Sequence, residues 1–319
     1  MAVSPLAVTL GDPRGIGAEV ALGAAARLKV DQPDLPLLFF GAPEQAEGVD
    51  LPGEFRPTES WDGSEAGAGA VSIQALRGAV EAATTGAASA VVTGPVHKPA
   101  LHAAGWAAPG QTEMLQELTG ATTVGMLMCA ESTRLGGALR VLLATTHLAL
   151  RDVPERVTTD LLVEQTELLH EALRDRWGFP EPRLALCGLN PHASDQGLFG
   201  DEEERIFEPA VARLREAGGT VRGPLPAATG FGKALAGEVH AVVAPYHDVG
   251  MAAFKTVSFG TGVNVTLGLP FLRTSPDHGT AFDIAGLGTA DPASMLEALR
   301  LAARLGPRSF QKRSAELPS

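Results

Sequence analysis

A chain of 319 residues with 45% apolar and 19% charged side chains has the make-up of a globular enzyme large enough for two lobes. Its net charge of −12 argues against nucleic acid or an anionic membrane surface as partner, because binding a phosphate backbone needs a basic face. Two cysteines in apolar runs, Cys129 and Cys187, an N-terminus without signal-peptide features and no apolar stretch of membrane length predict reduced thiols in a soluble cytoplasmic protein.

In chain order, residues 4–10 read as a short strand that breaks at Gly11-Asp12-Pro13-Arg14-Gly15-Ile16-Gly17 and resumes as a helix from about Ala18. The glycine spacing there is neither the dinucleotide fingerprint nor a P-loop, and by itself marks only a tight turn or an anion at a helix N-terminus. Residues 37–40 follow as a strand, and 44–70, poor in periodic signal, are expected to form loops and an edge hairpin. A helix over 71–83 leads to a buried strand, 88–93, and then Gly94-Pro95-Val96-His97-Lys98. Gly110-Gln111-Thr112-Glu113 opens the next helix.

Residues 123–129 and 139–146 read as neighbouring strands, joined as a hairpin through 132–136. Residues 159–177 form an amphipathic helix with Leu161, Leu162, Leu168, Leu169 and Leu173 on one side. A strand over 183–189 precedes a helix over 201–217, whose opening run Asp201-Glu202-Glu203-Glu204 suits a helix N-terminus and reads as a solvated face. Strands follow at 241–244 and 263–267. Asp291-Pro292 starts a last helix, to about Leu305, and the tail from Gln311 reads as loose. Strands alternating with helices predict an α/β protein with a largely parallel sheet.

Three of the eight histidines sit alike. Runs 140–146, 183–189 and 241–244 each deliver one imidazole, His147, His192 and His247, into a polar loop, where open α/β sheets bind ligands. Any one of them alone reads as a strand cap or a partner of nearby backbone. Together they match the three neutral imidazoles that commonly hold a catalytic divalent cation. Lys255, Arg273 and Lys98 are the cations available for an acidic ligand. The apolar flanks of Arg273 (Pro270, Phe271, Leu272) mark a charge that needs a partner or ligand, whereas Lys98 reads as a surface charge.

Six segments carry a resemblance: TLGDPRGIGAE (9–19), TGPVHK (93–98), TTHLALRDV (145–153), CGLNPHASDQGLFG (187–200), YHDVGM (246–251) and NVTLGLPFLRTSPDHGTAFDIAG (264–286). Across nearly the whole chain they resemble the 4-hydroxythreonine-4-phosphate dehydrogenase family of vitamin B6 biosynthesis. The last loop also resembles the adenosine-binding loop of isopropylmalate and isocitrate dehydrogenases.

The resemblance implies an α/β/α-layered fold of two lobes with a cleft between them. Residues 1–128 with 264–319 would form the lobe with the cofactor loop, and 129–263 the lobe with the metal ligands and dimer contacts. It implies an NAD- or NADP-dependent oxidative decarboxylase using one divalent ion (zinc, magnesium or cobalt), dimeric, with sites shared between subunits. His147, His192 and His247 would ligate the metal. Gln111, Thr112, Lys255, Asn264 and Arg273 would contact substrate, Lys255 as the catalytic group. His278, Gly279, Ala281 and Asp283 would hold the cofactor, and Asp283, facing the ribose, would favour NAD unless it merely caps a helix near Ile284.

Three positions depart from the family pattern: Gln111 stands for a histidine, Ala228 for an aspartate and Val249 for a glutamine. They leave open a sister enzyme acting on erythronate or threonate 4-phosphate, and a non-catalytic binding relative.

Overall fold

The computed structural model describes residues 4–107 and 110–306, and the tail from Gln311 lies outside them. Eleven strands form one sheet in the order β3-β2-β1-β4-β11-β10-β5-β6-β9-β7-β8. The first half is built from β1 (Leu6–Thr9), β2 (Leu37–Gly41), β3 (Glu54–Pro57) and β4 (Ala90–Thr93), all parallel, and β11 (Leu272–Pro276) adds to β4 in the same direction. At the centre β10 (Val263–Leu267) lies antiparallel to both β11 and β5 (Gly125–Ala130), and β5 pairs antiparallel with β6 (Leu139–Leu143). The second half is parallel again: β6, β9 (Ala241–Ala244), β7 (Arg183–Cys187) and β8 (Thr220–Leu225).

Alternation along each strand builds three layers. In β1, Leu6 and Val8 face one core, and Ala7 faces another. The first core runs beneath both halves of the sheet. There α1 (Gly17–Asp31), α6 (Thr159–Ala172), α7 (Glu208–Glu216) and α10 (Ala293–Leu305) contribute Val20, Leu169, Leu214 and Leu299. On the opposite face the apolar residues divide into two clusters. One gathers around Ile73 and Leu76 of α2 (Glu65–Thr84), Leu101 of α3 (Lys98–Ala103) and Leu115 of α4 (Gln111–Thr119). The other gathers around Phe231 of α8 (Ala227–Leu235) and Phe254 of α9 (His247–Ser258). The short α5 (Val153–Arg156) connects β6 to α6.

Two expectations are corrected. No edge hairpin forms in 44–70: β3 pairs parallel with β2, and α2 begins at Glu65, capped by the Ser64 hydroxyl, which accepts from the Gly67 amide. The run 201–204 is not wholly solvated either, since Glu203 is 1% exposed. Cys129 and Cys187 are free and buried, as expected, and burial pushes the Cys187 thiol up to about 12.

Candidate active site

The three histidines leave three neighbouring parallel strands, β6, β9 and β7, so all three emerge at one edge of the sheet. His147 follows β6 in an exposed loop, and His247 opens α9 immediately after β9. Their ring centroids are 5.5 Å apart. His247 Nδ1 lies 2.7 Å from Asp248 Oδ1, which orients the ring and leaves Nε2 available to a ligand. Partial desolvation of its ring first, and then the charges of Lys98 and His247, lower the His147 pKa from its ordinary value and favour the neutral imidazole, the form that binds a cation. His192 stands elsewhere, in an exposed turn after β7, with its ring near Phe199. Among the described residues no three His, Cys, Asp or Glu side chains group to hold a metal, so His192 does not complete the pair within one chain.

Arg273 is the electrostatic centre of the site. It is 4% exposed, and its guanidinium donates to Thr93 Oγ1 (2.6 and 3.1 Å), Thr266 Oγ1 (3.0 Å) and Gln111 Oε1 (2.6 Å). All four bonds go to neutral oxygens, and burial lowers its pKa to about 10. The field of Glu113, in the first turn of α4, reaches both Arg273 and His147. Arg273 and the histidine pair thus both lie within reach of the Glu113 carboxylate. Gln111, expected to contact substrate, donates one N–H of Nε2 to Gly94 O (2.9 Å) and accepts from Arg273 at Oε1, which leaves its second amide N–H available to a ligand. Thr112 is half-buried beside it.

On α9, eight residues after His247, Lys255 reaches Asp277: Nζ lies 3.5 Å from the backbone oxygen and 3.9 Å from Oδ2. Asn264, on β10, has a buried Oδ1 without a hydrogen-bond partner among the described residues. Ala228 is exposed on α8, and Val249 packs against the apolar cluster under α9.

The loop after β11 is set against the glycine-rich turn. Ile16 N donates to Thr280 O (2.9 Å), and a side chain at Gly15 would meet that oxygen at 2.7 Å. Gly11, at φ +75°, is equally constrained: a Cβ there would lie 2.2 Å from Pro95 O. His278 Nε2 is buried without a partner among the described residues, Ala281 holds a positive φ of 43°, and the space over Gly279 is open. An orphaned ring nitrogen beside a close-approach backbone suits a ligand lying along 278–283. Arg14 is spent within the protein, on buried Asp12 (2.9 Å) and across the Phe282 ring. Asp283 is exposed, and residues 282–288 run through turns instead of a helix, so the capping role considered for it has no helix to cap.

The family profile described as pyridoxal phosphate biosynthetic protein PdxA matches residues 17–302. The chain belongs to the PdxA family. It is 42% identical, over 95% of each chain, to a 4-hydroxythreonine-4-phosphate dehydrogenase of Methylorubrum extorquens. A crystal structure of 4-hydroxythreonine-4-phosphate dehydrogenase from Klebsiella pneumoniae superposes with a TM-score of 0.82 at 36% identity, covering 95% of this chain and 99% of that one. Isocitrate dehydrogenase from Methylococcus capsulatus (TM-score 0.52, 13% identity, 96% and 87% covered) shares the fold.

Several working residues of this PdxA-family site escaped the sequence reading. Thr93 and Thr266, which hold Arg273, lie 180 and 7 residues from it, and no local pattern links them. Asp248 and Asp277 adjoin His247 and His278, and that adjacency was the available signal.

Proposed function

We propose that this chain oxidises 4-phosphooxy-L-threonine with NAD or NADP and decarboxylates it to 3-amino-2-oxopropyl phosphate, in pyridoxal phosphate biosynthesis. The observation that carries the reading is the buried guanidinium of Arg273, bonded only to neutral oxygens, in a chain that also brings His147 and His247 together. A cation held by these imidazoles would acidify the substrate hydroxyl and stabilise charge as carbon dioxide leaves. Arg273 supplies fixed positive charge for a phosphate or carboxylate, Asn264 and Thr112 orient the substrate, and Lys255 moves the proton of the reacting hydroxyl. In balance, substrate and NAD⁺ give aminoketone phosphate, carbon dioxide and NADH, because the proton released from the hydroxyl is matched by the one taken up at carbon as carbon dioxide leaves.

The active unit is a homodimer in this reading. Leu148 and Leu150 beside His147, and Leu198 and Phe199 beside His192, are exposed apolar residues that flank proposed ligands. Buried together, they would let His192 of the partner subunit complete the metal site. The two separate clusters on one face of the sheet suit two lobes, 1–128 with 264–319 and 129–263, closing on substrate. The free buried thiols suit the cytoplasm, and no helix among the described residues is long and apolar enough to cross a membrane.

The test is NAD reduction over a panel of phosphorylated hydroxy acids with magnesium, zinc or cobalt. The highest kcat/KM is expected for 4-phosphooxy-L-threonine. A higher value for erythronate or threonate 4-phosphate would move the assignment to a sister reaction, and turnover of none would overturn it.

Cofactor choice follows from Asp283. A carboxylate facing the ribose accepts hydrogen bonds from its hydroxyls and repels a 2′-phosphate, and Arg14, the cation that lies over the neighbouring Phe282 ring, is tied to Asp12. Asp283→Lys should therefore shift the ratio of NAD to NADP affinities, read by NADH and NADPH fluorescence titration, by about tenfold or more toward NADP, roughly the worth of one charge-assisted hydrogen bond. An unchanged ratio in the folded variant removes Asp283 from the ribose.

A further inference from the structure

Glu203 is a buried carboxylate with an unusual set of partners. Among the described residues, every hydrogen bond its side chain accepts comes from residues 189 and 190: the backbone N–H of Leu189 and of Asn190, both at 2.8 Å, and the Asn190 side-chain amide at 2.9 Å. Asn190 Nδ2 also donates to Glu202 at 2.7 Å. A Cβ at Gly188 would lie 2.8 Å from Glu203 Oε1, so the end of β7 has to be bare for the carboxylate to reach it. Burying a carboxylate is costly unless its oxygens are satisfied, and here the satisfaction is spent wholly on the segment leaving β7.

That segment is strained. His192, Ala193, Ser194, Asp195 and Gln196 hold φ of 57°, 54°, 64°, 47° and 60°, followed by Gly197 at 90°. A run of five non-glycine residues in the left-handed region persists only where its ends are fixed by the surroundings. At the exit, buried Ser194 accepts from the Phe199 amide at 3.0 Å. At the entry, the fixing group is Glu203.

We propose that Glu203 is the positioning residue for His192, clamping the backbone where it leaves β7 so that the left-handed turn presents the imidazole for metal binding. This rests on the reading of His192 as a ligand. The acceptor oxygens do the work, not the charge, because the atoms held are neutral N–H groups.

The test is Co²⁺ affinity of the metal-stripped full-length protein, followed by visible absorption, with thermal midpoints in chelator recorded alongside. Glu203→Ala should weaken Co²⁺ binding 10- to 100-fold, the usual range for a group that orients a ligand, and Glu203→Gln, which keeps an acceptor for the backbone amides, should restore most of it. If Glu203→Ala fails to fold, Glu203→Asp, one methylene short of the amides, is expected to weaken binding by about tenfold. Wild-type affinity in the Ala variant, or in the Asp variant where that one decides, overturns the proposal even if the thermal midpoint falls, since Glu203 would then be structural only. His192→Ala separates the two inferences. Unchanged Co²⁺ affinity there removes His192 as a ligand and the proposal with it, whereas weakened affinity there beside an unaffected Glu203→Ala overturns the clamp alone.

Discussion

His247→Ala is expected to lose bound metal and, with it, turnover by roughly a thousandfold or more, since a catalytic cation contributes several kcal/mol to the barrier. The direction follows from geometry. His247 and His147 are the only proposed ligands brought together within one chain, at 5.5 Å between ring centroids, and Asp248 already holds the His247 ring by Nδ1. Removing one imidazole of the pair leaves at most two at a shared site, His147 and His192 of the partner subunit, too few to retain a divalent ion at micromolar concentration. Metal content by elemental analysis and NAD reduction should therefore fall together. Full occupancy and full rate in the purified variant would place the cation elsewhere.

The buried strands were legible because they are nearly continuous Leu, Val and Ala runs, the mark of strands covered on both faces. β1, β4, β7 and β9 all lie where such runs predict. What the pattern hid was less regular. The opening of α2, Glu65-Ala66-Gly67-Ala68-Gly69-Ala70, has too few large apolar side chains to show a helical stripe, and its helix becomes apparent only once Gly69 packs against the Ala100 backbone. β11, Leu-Arg-Thr-Ser-Pro, is polar by composition yet buried throughout, because its polar atoms are satisfied across the sheet and by α10.

The site divides the same way. Positions at strand ends could be read from sequence, which is why His147, His192 and His247 stood out as candidates, and the apolar flanks of Arg273 marked its burial. Pairings between distant segments could not. The Gln111 amide was free to point anywhere until Gly94 and Arg273 fixed both of its ends, and Glu203 looked solvated amid three other acids until the end of β7 was seen to close over it.

Arg273→Met separates binding from stability. Breaking a buried ion pair usually costs about 3–5 kcal/mol because the partner charge is stranded, but none of the four hydrogen bonds of Arg273 goes to a carboxylate. Its removal strands only two threonine hydroxyls, each free to rotate to another acceptor, and the Gln111 oxygen. It also takes away a guanidinium that burial already disfavours, as its pKa lowered to about 10 records. The sign follows: the folded protein binds that proton less tightly than the unfolded chain, so at neutral pH the charge is a cost to folding that methionine removes. The thermal midpoint is thus expected to hold or rise. Substrate binding should move the other way. Hydrogen bonds to a charged group are worth about 1.5–3 kcal/mol, so losing the anion's fixed donor should raise KM for the phosphorylated substrate roughly 100-fold and leave KM for NAD nearly unchanged. A marked drop in thermal midpoint with an unaltered substrate KM would make Arg273 a core-forming residue, and the anion would then have to be sought at Lys255 and Asn264.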